Sequence, residues 1–254
     1  MHPQIEFRHV LGELSVNRND PCEVVRELIS NSYDAEATEI YYAPINARSG
    51  IAFMDNGSGL GSEVGSAGIS PWEAFFSIGK STKTKGAGIG YKCQGSKLCF
   101  ASSRILVATR FQGADLRWAY RIVENPRNNL DVNYSIDPDY SEDINAVLDQ
   151  FLGKLDKQGT AAIDDLKKRL ARLAGKTGTL VLIDGLDTEN FGKYFSSAPS
   201  VKDSYVYNYI RFNTRHGDVR KISSAQGFAA NQVAQIPSPP SAALTGRFQG
   251  SRAT

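Results

Sequence analysis

In the segment ELISNSYDA, Glu27, Asn31 and Asp34 stand four and then three residues apart. On a helix those positions share one stripe. The stripe borders the apolar positions Val24, Val25, Leu28 and Ile29 rather than opposing them. A carboxylate able to take a proton, with an amide one turn further on, would then stand at the rim of a core. The same residues would serve equally as the solvated flank of an ordinary helix.

Two other stretches supply complementary chemistry. Asp55-Asn56-Gly57-Ser58-Gly59 follows directly on a predicted strand. Its glycines permit a sharp turn and a close approach of backbone to a flat ligand. An aspartate at the strand end can accept a hydrogen bond from an exocyclic amine, although Asp-Asn-Gly is also a common turn. The run from Lys80 to Lys92, KSTKTKGAGIGYK, lies in a segment with seven Lys and Arg and no acid between Glu73 and Asp115. Such segregation marks a local anion site. Gly86, Gly88 and Gly90 lead into a predicted helix start, where exposed N–H groups and the positive end of the dipole suit phosphate. A mobile loop with solvated lysines is the plainer reading.

The segment AFFSIGKS, Ala74 to Ser81, fits the relaxed phosphate-loop pattern [AG]-x-x-x-x-G-K-[ST]. A true phosphate loop needs small residues and a preceding strand. Here the loop would hold Phe75, Phe76 and Ile78. Upstream, Ser70-Pro71-Trp72-Glu73 reads as a helix start, with Ser as N-cap, Pro at N1 and Glu completing a capping box. The phosphate-loop reading is set aside.

The elements that must position these residues follow from periodicity. Asp20-Pro21 opens a helix through CEVVRELISNSYDAEA. Glu39–Tyr42 and Gly50–Asp55 form a hairpin. A helix begins at Pro71, Gly79–Gly90 is loop, and residues 94–103 form a helix. Ile105–Phe111, Leu116–Val123 and Val132–Ile136 are successive strands. Apolar residues at helical intervals between Ser141 and Gly175 predict a helical hairpin turning near Gly159. Gly178–Ile183 is a continuous apolar strand ending in Asp184. Ser204–Thr214 is an aromatic helix candidate, and from Gln226 a flexible tail is expected. The mixture of elements predicts an α/β sandwich, a mixed, mainly antiparallel sheet covered by helices on one face.

In this order and on these elements, ELISNSYDA, DNGSGL and GAGIGYK resemble the GHKL superfamily of ATPases. That superfamily includes DNA gyrase B, the large heat-shock chaperones, histidine kinases and the MutL mismatch-repair proteins. The resemblance covers roughly residues 10–110, with an echo at Gly178-Thr179, and leans toward the chaperone, microrchidia and MutL-like hydrolytic members. It implies the two-layer Bergerat ATP-binding fold over residues 1–225, with the hairpin at about 141–175 as an insertion and 226–254 as tail or linker. It also implies Mg²⁺-dependent binding and slow hydrolysis of ATP, with lid closure acting as a conformational or dimerisation switch.

Residue by residue, the resemblance implies Glu27 as the general base and Asn31 as the Mg²⁺ ligand, with Asp34 on the same cofactor-binding stripe. Asp55 would read the adenine amine in a pocket shaped by Gly57 and Gly59, and Thr179 would support Asp55 through a water. Gly86, Gly88 and Gly90 would meet the phosphates, with Lys92 near the terminal phosphate and Lys80 and Lys83 as further lid residues. Tyr91-Lys92-Cys93-Gln94-Gly95 is an unusual exit from such a lid. The activating cation that dimerising members take from a following domain is expected from a partner, the lid or a longer chain. Histidine kinase is disfavoured, since His2, His9 and His216 lie in no helical phospho-acceptor box and Glu27 is retained. A nucleotide-sensing module with little hydrolysis is the alternative.

The 254 residues, 41% hydrophobic and 22% charged, suit a globular chain able to bury a core. A net charge of +2 supplies no global field for nucleic acid, which remains a secondary partner behind a protein partner or a nucleotide-dependent homodimer. Cys22, Cys93 and Cys99 make neither a disulfide framework nor a zinc spacing. With no signal peptide and no membrane-spanning run, a cytoplasmic location is expected. Lys167, Lys168, Arg169 and Arg172 are read as a solvated face.

Overall fold

The computed structural model describes residues 22–45, 50–77, 82, 99–100, 102–113, 117–126, 135–153, 160–173 and 176–186. In chain order these form α1 (Cys22–Asp34), β1 (Ile40–Ile45), β2 (Gly50–Asp55), α2 (Pro71–Phe76), β3 (Arg104–Arg110) and β4 (Trp118–Glu124). They continue with β5 (Asp139–Ser141), α3 (Ile144–Leu152), α4 (Thr160–Arg172) and β6 (Gly178–Asp184). The strands make one sheet in the order β1-β2-β6-β3-β4-β5, with every described pairing antiparallel. The last of the described strands in sequence, β6, thus lies at the centre of the sheet. Pro44 sits in the edge strand β1, where a missing N–H is tolerated.

Alternation along the strands divides the core in two. Ile51, Phe53, Ile105, Val107, Val181 and Ile183 face α1 and α2, packing on Val25, Leu28, Ile29, Trp72 and Phe76. Ala52, Met54, Leu106, Ala108, Leu180 and Leu182 face α3 and α4, packing on Leu148, Phe151, Leu166 and Leu170. Cover on both faces explains why β3 and β6 are buried along their whole length and read as near-continuous apolar runs. The α/β class and antiparallel sheet agree with expectation. The sheet is covered on two faces rather than one, because the hairpin forms a third layer on the far side.

Cations hold that layer down at the negative ends of its helices. Arg104 donates to the Phe151 carbonyl at 2.6 Å, lies 4.3 Å from the Phe151 ring centroid and pairs with Glu124. Arg110 donates to the Leu173 carbonyl just beyond α4 and stacks over Trp118. Arg169 bonds Glu39 and Asp165 and lies over Tyr41, so it is a packing residue and not part of a solvated face. Lys167 bridges to Asp149 on α3, whereas Lys168 and Arg172 are exposed.

At Ser70 both halves of the capping box are present, and Pro71 opens α2. A helix therefore stands where a phosphate loop would require a strand. Of the expected strand at Val132–Ile136, only residues 135 and 136 are among those described. Residues 135–138 are irregular and β5 lies at Asp139–Ser141. The Ile136 carbonyl accepts from the Trp72 indole at 2.7 Å instead of from a strand neighbour. Of residues 94–103, Cys99 and Phe100 form a 3₁₀ turn and Ser102 and Ser103 a bend, the rest lying outside the described residues. The helix at 204–214 and the tail from 226 lie outside them as well, as does all of Gly79–Gly90 except Thr82.

Candidate functional site

The registers place three polar residues side by side at one end of the central strands. Asp55 on β2 pairs with Thr179 on β6, and Thr179 pairs with Thr109 on β3. All three are buried, in phase with the residues that face α1 and α2. A polar row thus ends an otherwise apolar sheet face, which makes it a candidate site. It is closed above by α1 and in front by the loop 56–60.

Asp55 is the most constrained member. The Ser32 hydroxyl of α1 donates to its Oδ2 at 2.7 Å, and the Gly57 N–H donates to Oδ1 at 2.9 Å. The Thr179 backbone contributes a further hydrogen bond. Burial pushes the carboxyl above its ordinary value of 3.8, against the opposing pull of Ser32, Gly57 and Thr179. Three bonds leave an ionised carboxylate, with about four lone-pair directions, room for one more donor. A backbone hydrogen bond thus links Thr179 to Asp55.

The neighbouring loop is held by the protein itself. Asn56 Oδ1 accepts from the Thr38 and Glu39 N–H groups, both at 2.8 Å, fixing the turn after α1. A side chain on Gly57 would meet Ala35 Cβ and its carbonyl at 2.8 Å. Gly59 has φ +77°, and a Cβ there would lie 2.4 Å from the Arg110 carbonyl. The close approach these glycines allow is to the turn after α1 and to β3, so their need is explained before any ligand is considered. Gly178 belongs with them, since its Cβ would meet the Asp55 carbonyl at 2.5 Å.

On α1, Glu27, Asn31 and Asp34 are partly buried along the predicted stripe, and each has partners within the protein. Arg26 bridges Glu23, at 2.8 Å, and Glu27. Ser32 ties this helix to Asp55, so the stripe and the carboxylate belong to one assembly. The Asn31 side-chain oxygen is a donor of the kind Mg²⁺ takes, and among the described residues no cluster of three His, Cys, Asp or Glu side chains is placed to hold a metal ion. Lys80, Lys83, Gly86, Gly88, Gly90 and Lys92 lie outside the described residues.

Ser32 and Thr109 were not legible as site residues. Ser32 continues the buried series Val25, Leu28, Ile29 at i+7 and is itself 1% exposed. A serine at a core position was the available signal. For Thr109, only its phase in β3 sets it apart.

The sequence matches no family profile, and no curated protein matches it. Among solved structures it is similar to the ATPase region of Saccharomyces cerevisiae topoisomerase II. The TM-score is 0.40 and the identity 16%, over 67% of this chain and 39% of that one. At that distance neither residues nor activity carry across, and function must be argued from the site. Among the described residues no helix is long and apolar enough to cross a membrane.

Proposed function

We propose that the chain binds ATP at the end of β2, β6 and β3 and hydrolyses it slowly in a Mg²⁺-dependent reaction, as a GHKL-type ATPase. The observation that carries this reading is the buried Asp55 carboxylate, oriented by Ser32, Gly57 and Thr179. An acceptor-only group fixed in this way suits the amino group of adenine and opposes the carbonyl of guanine. Such a charge costs folding energy, and recognition of an amine gives it a purpose.

Asn31 on α1 would hold Mg²⁺, which supplies charge neutralisation on the phosphates when bound. Glu27, one turn before Asn31, would accept the proton of the attacking water. The lysines and glycines of 80–92 would close over the phosphates as a lid, and closure would switch contacts with a protein partner or a second copy. On this reading residues 1–225 form the nucleotide-binding domain, with the α3–α4 hairpin as its insertion.

A second reading, a nucleotide-binding switch with little hydrolysis, is favoured by one contact. The Arg26 guanidinium pairs with one of the two oxygens of the Glu27 carboxylate, the group a base would use. Thermal unfolding with ATP, ADP and GTP, with and without Mg²⁺, tests the binding claim. A hundredfold excess over Kd stabilises by about 2.7 kcal/mol. A larger shift with ATP than GTP, enhanced by Mg²⁺, is expected, and no shift with any nucleotide rejects the assignment. Single-turnover phosphate release then separates the two readings.

A further inference from the structure

Thr109 has no place in the chemistry above, yet its hydroxyl bonds backbone groups in both segments that frame Asp55, the 56–60 loop and β6. Oγ1 accepts from the Leu60 N–H at 2.8 Å and lies 3.1 Å from the Gly178 carbonyl, to which it donates. One hydroxyl thus joins the end of the 56–60 loop to the first residue of β6. The side chain is fully buried, and a Cβ on Gly59 would lie 2.9 Å from the same oxygen. The loop is therefore pressed against Thr109 with no space for an intervening water. Gly178 in turn packs under the Asp55 carbonyl. A valine has the same shape and would satisfy neither bond, leaving the part-buried Leu60 N–H and the buried Gly178 C=O to find new partners.

Resting on the ATP-binding reading, we infer that Thr109 is a positioning residue for base selection, setting the path of the loop and hence the direction of the Asp55 carboxylate. It touches no ligand. Its effect reaches the nucleotide through Leu60 on one side and Gly178 on the other, so loss of the hydroxyl should loosen discrimination between bases more than it loosens phosphate binding.

The test compares wild type, Thr109→Val and Thr109→Ser by calorimetric titration with ATP and GTP in Mg²⁺, with melting temperatures beside them. Thr109→Val is expected to weaken ATP about tenfold, the scale of one buried hydrogen bond. GTP should change little, so the ATP-to-GTP preference collapses, and Thr109→Ser restores it. A Thr109→Val protein that melts earlier but keeps wild-type affinity and preference overturns the inference and leaves ATP binding standing. Wild type that binds no adenine nucleotide overturns both. Amide exchange in the wild type covers the case in which the valine variant does not fold: the Leu60 N–H must be strongly protected, and fast exchange there in the folded protein overturns the inference.

Discussion

Replacing Asp55 by asparagine separates recognition from folding, because the structure predicts opposite signs for the two. The carboxylate accepts from Ser32 on Oδ2 and from Gly57 on Oδ1. An asparagine can keep its oxygen toward Gly57 and turn its NH₂ toward Ser32. The Ser32 hydroxyl can then accept from the amide and donate to the Leu28 carbonyl, already 3.0 Å away. The Ser32 and Gly57 bonds are kept and a buried charge disappears, so stability at neutral pH should hold or rise. For ATP the change removes a hydrogen bond to a charged acceptor, about 1.5–3 kcal/mol or roughly ten- to a hundredfold in Kd. GTP should lose less, since an NH₂ can donate to the guanine carbonyl.

The pH dependence gives a second signature of the same substitution. The folded Asp55 pKa lies above its ordinary 3.8, with burial the dominant cause. Between those two values the native state holds more protons than the unfolded state, so this group's contribution falls as pH rises through the window and stays unfavourable above it. Asp55→Asn should remove that slope. ATP affinity runs the other way, because the amine needs the ionised form: wild type should weaken by about tenfold per pH unit below the folded pKa, and the variant should be flat. Calorimetry with ATP and GTP across pH, alongside urea unfolding, reads all of these. Unchanged ATP affinity in a stable variant, or an equal loss for both nucleotides, would refute the reasoning.

Three further substitutions probe the same assembly. Glu27→Gln should bind ATP within about twofold of wild type and lose about 10²–10⁴-fold in turnover, read as phosphate release; normal turnover removes Glu27 from the base role. Ser32→Ala takes one donor from Asp55 and so raises its pKa further, moving the acid loss of ATP affinity to higher pH; an unmoved midpoint would mean that Ser32 does not tune the carboxylate. Gly59→Ala must hold a left-handed φ of +77° against a carbonyl 2.4 Å away, and should lower unfolding free energy by at least about 2 kcal/mol in chemical denaturation. A neutral effect there would show that the loop can move off β3.

Local chemistry made part of this architecture legible. The α2 start was readable because Ser70, Pro71 and Glu73 act within one turn, and α1 because its apolar stripe is unbroken. The strand Gly178–Asp184 was evident as a strand, but its central place between β2 and β3 is a long-range pairing that no window of sequence reveals. The third layer escaped notice for the same reason, since an amphipathic hairpin does not say which face it covers. Arg169 looked like one more exposed cation in a run, and only the fold brings Glu39 and Tyr41 to it. Asp55 was found from its turn. Its support by Ser32 and the loop's support by Thr109 were not, because small hydroxyl residues in buried phase look like ordinary core filling until a partner is known.

Hydrogen–deuterium exchange of the whole chain with and without Mg²⁺-ATP tests the central claim most directly, since it reports where the nucleotide sits as well as whether it binds. The account predicts protection concentrated in peptides covering Asp55–Leu60 and the start of β6 at Gly178-Thr179, reduced in Asp55→Asn. Protection confined to other elements, or none at a concentration that shifts the melting temperature, would contradict it.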